Sequence, residues 1–353
     1  MQLLDSTCKR LRDVLQDICT QVQIKSDFCI SHPKYKSIQP PLEVVNRLQQ
    51  LPIERQHHYL SLQVRNFLYK IYYNDSQEKA FETDVNSAIT SNIEDNIVRQ
   101  QYLKFYQQVH KSNCGQGYFD PNWRVLRQES NGNVTVQKNC LTLQVECGHL
   151  QLAPAFVGDT VSVRMPRNLI EPGFYIAVGD AGLPWHHSAN VYIYFNVSSE
   201  GAIALMKSIS QQLNKIYIPF TFKVLANLSE YRRYDSGVLY IERDNYKVIQ
   251  PILQSICAEN QQHFQVQVPV FMKQLMPGLG LAEEPKSKFT AKEDFGMNRC
   301  QIVANSLIAA WQQENESTQS KIASIYQHFS LAGFSLQYPY LNTNSEDIYT
   351  CWN

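Results

Sequence analysis

The chain has 353 residues, 44% of them hydrophobic, enough to build substantial cores in one large domain or two. Lysine and arginine total 32, as do aspartate and glutamate, so no global field draws in nucleic acid or an anionic membrane, and any anion site must be local. The nine cysteines are scattered without a CxxC pair, which argues against a disulfide framework or a zinc cage and for a reduced, cytoplasmic setting.

In chain order, Leu4, Cys8, Leu11, Leu15, Ile18 and Val22 recur at spacings of four and three, predicting a docked helix over residues 3–22. Charges among its leucines break any signal-peptide core, and no run is long enough for a membrane span. Helices follow over about 42–51, 54–73 and 94–110, with the polar stretch 74–92 expected as an exposed loop. The pattern then changes. WRVLRQESNGNVTVQK reads as a hairpin around Asn131-Gly132, and CLTLQVE, TVSVRMP and GFYIAVGDAG alternate as further strands. The expectation is an α+β chain, with a helical region over 1–112 and a sheet domain over 113–353.

The stretch 190–244 reads as strand, helix, strand, loop, strand. Val191, Ile193 and Phe195 alternate with Tyr192 and Tyr194; Phe220, Phe222 and Val224 alternate with Thr221 and Lys223; Leu239 and Ile241 alternate with Tyr240. With the oily faces on the helix, the opposite face gathers Tyr192, Tyr194, Lys223 and Tyr240, and the loop beside it carries Arg232 and Arg233. YKVIQPILQSICAEN predicts a second helix on the same sheet, VPVFMKQLMPGLGLAEEP a Pro-Gly loop, and FGMNRCQIVANSLIAAWQQ a helix with Arg299 in its first turns. The aromatic, polar end from Tyr338 is expected to lie over the domain.

Several chemistries find no support. Gly278-Leu279-Gly280 lacks the strand and helix of a dinucleotide site, no Walker loop, HExxH or G-x-S-x-G elbow is present, and His186-His187 has no third metal ligand at suitable spacing. Neither a metal nor a cofactor is therefore expected. Arginines fork onto phosphate oxygens, and a lysine beside them has its proton affinity lowered and can serve as a base. The plainer alternative is a solvent-facing lysine with ordinary loop arginines.

The segments FYQQVHKSNCGQGYFDPNWRVLRQ, VRMPRNLIEPGFYIAVGDAG, VYIYFN, FTFKVL, PGLGLAEEP and FGMNRCQIVANSL resemble the type III effector HopA family over roughly residues 100–350. The resemblance implies a mixed or antiparallel sheet with strand-helix-strand units, similar to phosphothreonine lyases. It also implies elimination of phosphate from phosphoserine or phosphothreonine to a dehydroamino acid, as in lanthipeptide-type pathways, with a kinase-like partner protein. The lyase base lies in Trp-Lys-Val, and Phe222-Lys223-Val224 is similar; an arginine ahead of Leu-Tyr-Ile resembles Arg233 ahead of Leu239-Tyr240-Ile241. The Tyr-Arg-Asn-x-x-Arg clamp is weakly echoed by Met297-Asn298-Arg299, and where the lyases carry a histidine this chain has Tyr192 or Tyr194.

On this resemblance Lys223 takes the α-proton, Tyr240 orients, Tyr194 or His187 protonates the departing phosphate, and Arg233 and Arg299 hold it with Arg232 in support. The alternative is a non-catalytic effector-like module that binds a phosphopeptide or a protein partner.

Overall fold

The computed structural model describes residues 2–76, 91–184, 189–291 and 293–352. Most of the stretch expected as an exposed loop, 74–92, and both His186 and His187 lie outside the described residues.

Helix α1 (Gln2–Gln21) buries Leu11, Leu15 and Ile18, with Val22 just beyond its end, as the apolar spacing requires. It is followed by a small antiparallel sheet that the polar, weakly patterned sequence does not announce: β1 (Gln23–Ile24), β2 (Ile30–His32) and β3 (Tyr35–Ile38). Helices α2 (Leu42–Gln49) and α3 (Ile53–Leu68) each start directly after a proline, whose missing N–H costs nothing at a helix start. At Tyr69–Tyr73 the helix widens to a π turn, in which Asn74 N–H donates to the Tyr69 carbonyl at 2.9 Å. The Tyr69 and Tyr73 rings stack with centroids 5.0 Å apart and are presented together to the large sheet. Helix α4 spans Ser91–Ser112.

Strands β4 (Tyr118–Gln128), β5 (Val134–Lys138), β6 (Leu141–Val145) and β7 (Thr160–Met165) form a four-stranded antiparallel sheet in the order β6-β5-β4-β7. The expected hairpin around Asn131-Gly132 joins β4 to β5. This sheet has its own core of Trp123, Val125, Val136 and Val163.

The remaining strands are β8 (Asn168–Glu171), β9 (Phe174–Val178), β10 (Asn190–Phe195), β11 (Phe220–Leu225), β12 (Gly237–Glu242), β13 (Lys273–Met276) and β14 (Leu279–Glu283). They build a seven-stranded sheet in the order β13-β14-β10-β12-β11-β9-β8, and every pairing is antiparallel. Helix α5 (Ser199–Lys215) carries the chain from β10 to β11, leaving a gap that β12 fills by pairing with both. Ser198 caps α5 by accepting from Gly201 N–H at 3.1 Å. A side chain at Gly201 would meet the Cβ of His263 at 2.6 Å, so the residue is held to glycine by close approach.

The VPVFMKQLMPGLGLAEEP stretch, expected to run through a Pro-Gly loop, turns at Pro277-Gly278 and carries a strand on either side, forming the β13–β14 hairpin. All five residues of β14 are buried, so Leu279–Ala282 show no alternation and the strand ends on the buried carboxylate of Glu283. Gly278 has φ +75°, and a Cβ there would lie 2.0 Å from the Gln265 carbonyl.

Helices α5 and α6 (Tyr246–Glu259) pack side by side on the face formed by Phe220, Phe222, Val191, Ile193, Leu239 and Ile241. Helix α7 (Phe295–Gln312) packs on α3 and on α8 (Thr318–Leu331), and the π turn of α3 brings Tyr73 to Tyr194 on the opposite face of the sheet. One core joins residues of α1, α3 and α4 to this sheet and to Trp352. The C-terminal stretch lies over the domain as expected. Glu283 accepts from Ser345, Tyr349 and the Asn342 backbone, Lys273 pairs with Asp347, and Tyr340, Leu341 and Trp352 are buried. Among the described residues no helix is long and apolar enough to cross a membrane.

His110 on α4 accepts at Nε2 from Arg167 at 3.1 Å and places Nδ1 3.0 Å from the Tyr175 hydroxyl. Burial, then the Arg167 charge, lower its proton affinity. Its contribution to stability is therefore complete above the ordinary histidine value of about 6.5 and is lost as pH falls through that value towards the folded one. His32, lowered by burial, acts in the same sense. The denaturant midpoint should fall below pH 6.5, and His110→Gln should flatten part of that fall; an unchanged pH profile in the variant would remove His110 from this role.

Candidate functional site

Lys223 points away from Phe222 and Val224 because side chains alternate along β11. The register then settles its company. Lys223 stands opposite Val238, Val238 opposite Tyr194, and Tyr240 opposite both Thr221 and Tyr192, so Lys223, Tyr240, Tyr192 and Tyr194 share one face. Their neighbours on that face include Phe174 of β9 and Glu171 of β8.

Lys223 Nζ sits 3.6 Å from the centroid of the Phe174 ring and donates to Glu171 Oε1 at 2.5 Å. Arg233 approaches the same ring, its Cζ 6.0 Å from the centroid. Its guanidinium forks onto Asp235 through Nε at 2.8 Å and Nη2 at 2.7 Å, and Nη1 reaches Glu230 at 3.3 Å. Burial alone would lower the Arg233 proton affinity; the Asp235 carboxylate outweighs it and raises the value. The result is a ledge on which two cations flank one aromatic ring, each held by a carboxylate. Lys223 is 30% exposed and Glu171 44%, so the lysine end of the ledge is open to solvent.

The phenolic part of the face is more enclosed. Tyr240 donates to Glu284 and accepts from Asn190 Nδ2 at 2.8 Å, while Lys288 holds the other oxygen of Glu284 at 2.7 Å. Burial, then the bond to Glu284, raise the Tyr240 proton affinity. The Tyr192 ring lies 4.9 Å from that of Tyr240 and 6.1 Å from that of Tyr194. Tyr194 is 5% exposed beneath Tyr73, and burial raises its proton affinity well above the ordinary phenol value. Asp294 closes this end. It caps α7 by accepting from Met297 N–H at 2.7 Å and accepts from Tyr69 at 2.7 Å, with burial raising its own proton affinity.

The structure does not bring Arg299 to this face. Its side chain is fully buried in α7, stacked 3.7 Å over Phe334, and donates to the carbonyls of Pro339 at 2.8 Å and Leu341 at 3.2 Å and to Asn298 Oδ1 at 2.5 Å. Burial lowers its proton affinity to about 9. Arg299 is a clasp on the C-terminal stretch, and its direction within the helix could not be read from Met297-Asn298-Arg299 alone. Arg232 is exposed.

Sequence reasoning passed over Glu171, Phe174, Asp235, Asn190 and Glu284. Asp235 was within reach, two residues from Arg233 in the same loop; Glu171 sits on an edge strand that only the sheet order ties to Lys223. Among the described residues no group of three or more His, Cys, Asp or Glu side chains could hold a metal ion.

The HopA1 effector protein family matches residues 165–341, a span that contains the ledge, its carboxylates and the Arg299 clasp. The chain belongs to the HopA1 effector protein family. It is also similar to two solved effector structures from Pseudomonas syringae. That of pv. tomato strain DC3000 has 16% identity and a TM-score of 0.45, covering 82% of this chain and 97% of that one. That of pv. syringae strain 61 has 10% identity and a TM-score of 0.42, covering 69% and 82%. A comparison with curated proteins finds no match.

Arg299 and Arg232, both within the matched span, should behave differently on truncation. Arg299→Ala strands two buried carbonyls and leaves a cavity, costing about 3 kcal/mol or more, whereas Arg232→Ala on the surface should change stability by less than about 0.5 kcal/mol. Denaturant unfolding checks both; equal stabilities would refute the clasp.

Proposed function

We propose that this protein is a carbon-oxygen lyase that eliminates phosphate from phosphoserine or phosphothreonine in a peptide or protein substrate, leaving a dehydroamino acid. The observation that carries the reading is the sharing of the Phe174 ring by Lys223 and Arg233, on the face that also presents Tyr240. The resemblance to phosphothreonine lyases, with Lys223 at the base position and Arg233 at a phosphate position, points the same way.

A phosphate group entering the ledge competes with Glu171 for Lys223 and with Glu230 and Asp235 for Arg233. Arg233 holds the phosphate oxygens in a fork, with Arg232 in support at the rim. Lys223 is the base that takes the α-proton; the Cα–H electrons form the Cα–Cβ double bond as the Cβ–O bond breaks, and the electrons of that bond leave with the phosphate. Tyr240, locked between Asn190 and Glu284, orients the reacting residue. The proton for the departing phosphate comes from Tyr194 or from His187. Arg299 has no part in this scheme beyond holding the C-terminal stretch. A kinase-like protein would supply the phosphorylated substrate.

A second reading, a non-catalytic module that holds a phosphopeptide or protein partner, is favoured by the burial of Tyr194 and by the carboxylates that hold both ledge cations.

Mass spectrometry of a phosphoserine or phosphothreonine peptide after incubation separates these readings. The lyase yields the dehydroamino acid at a rate unchanged by a chelator. Lys223→Ala should lower turnover by about 100-fold or more while leaving phosphopeptide binding and the fold largely intact. Arg233→Ala should weaken phosphate binding more than Arg233→Lys, which keeps the charge without the fork. Recovery of the free hydroxyl residue would make the protein a phosphatase, and unchanged, bound phosphopeptide would establish the binding module.

A further inference from the structure

Helix α1 and the β2–β3 region wall an open cleft of about 510 Å³, whose lining includes Lys9, Arg10, Asp13, Asp17, Lys34 and Tyr72. Asp17 is already engaged: it accepts from the Tyr72 hydroxyl at 2.8 Å, and that hydroxyl lies 3.0 Å from Nε2 of buried His32. Arg10 is not. Its side chain is half-buried, yet it makes no hydrogen bond or ion pair among the described residues. Burial lowers its proton affinity, and the one group acting against that is the phenol of Tyr234. A guanidinium carries five donors, and removing them from water without an acceptor is costly. Such a group is suited to an anion that arrives from outside.

The position of the cleft narrows the choice of anion. Tyr234 directly follows Arg233, donates its backbone N–H to Asn74 at 3.3 Å and its hydroxyl to Asp75 at 2.8 Å, and feels the Arg10 charge. One residue step of the same loop therefore joins the cleft to the ledge. The cleft sets three cations against two carboxylates, a net positive lining that attracts an anion. We propose that this cleft binds an acidic stretch of the peptide or protein substrate, with a substrate carboxylate forked on Arg10 and neighbouring carboxylates drawn by Lys9 and Lys34. The inference rests on the proposed function only for the phosphate end of that substrate; the carboxylate contact stands without any elimination.

The probe is a fluorescein-labelled peptide rich in aspartate and glutamate and free of phosphoresidues, compared by anisotropy with its asparagine and glutamine counterpart. The full chain should bind the acidic peptide and not the neutral one, and added salt should weaken the binding. Arg10→Gln should lower the affinity roughly tenfold, the loss expected for one charge-assisted contact, and Arg124→Gln, exposed on β4 of the four-stranded sheet, should leave it unchanged. Because Arg10→Gln removes an unpaired half-buried charge, its melting temperature should be equal to or above that of the parent, which separates lost binding from lost fold. Equal binding of both peptides, or an Arg10→Gln variant that binds the acidic peptide as the parent does, would overturn the proposal. Failure of phosphate elimination with Arg10-dependent acidic-peptide binding intact would overturn only the lyase.

Discussion

The insertion of β12 between β10 and β11 is the constraint on which the site depends. The α5 crossover delivers β11 one strand spacing too far from β10 to pair with it, and the returning β12 closes the gap by antiparallel pairing on both sides. Because side chains alternate with a period of two, that register decides everything on the face: a slip of one residue in β12 would send Tyr240 to the α5 side and leave Leu239 beside Lys223. The apolar faces of all three strands are fully buried, which makes such a slip expensive and ties the chemistry of one face to the packing of the other.

Three arginines show how context sets the use of one side chain. Arg233 is forked onto a carboxylate and kept charged beside an open ledge. Arg299 is sealed in the core, where two carbonyls and an aromatic ring replace water and its charge becomes harder to hold. Arg10 is half-buried and, among the described residues, has neither kind of partner; it lines an open cleft. The first suits exchange of an anion, the second holds a chain segment, and the third is the anchor of the proposed acidic-peptide cleft.

The carboxylates around the ledge are as much part of the site as the cations. Glu171 on the edge strand keeps Lys223 placed over Phe174, and Asp235 fixes the plane of the Arg233 fork. Glu284 does the same for Tyr240, itself steadied by Lys288 and Asn190. Each of these heads is thus held in one orientation by an opposite charge or a hydrogen bond, so that a ligand at the ledge has to displace what is already there.

Local pattern determined a good deal by itself. The stripe of α1, the Asn131-Gly132 hairpin and the alternation in β10, β11 and β12 are short-range properties, and they sufficed for the α+β class and for the shared face of Lys223, Tyr194 and Tyr240. The β13–β14 hairpin escaped because a strand buried on both faces loses its alternation, and β1–β3 because two- to four-residue strands carry too little pattern. Only the tertiary structure decided which charges meet. Glu171 lies 52 residues from Lys223, and Glu284 lies 44 from Tyr240. Arg299 turns from the cleft to the C-terminal stretch because helix phase and packing, not its neighbours in sequence, set its direction. Ion pairs are made across folded space, and the spacing of residues along a chain holds no record of that distance.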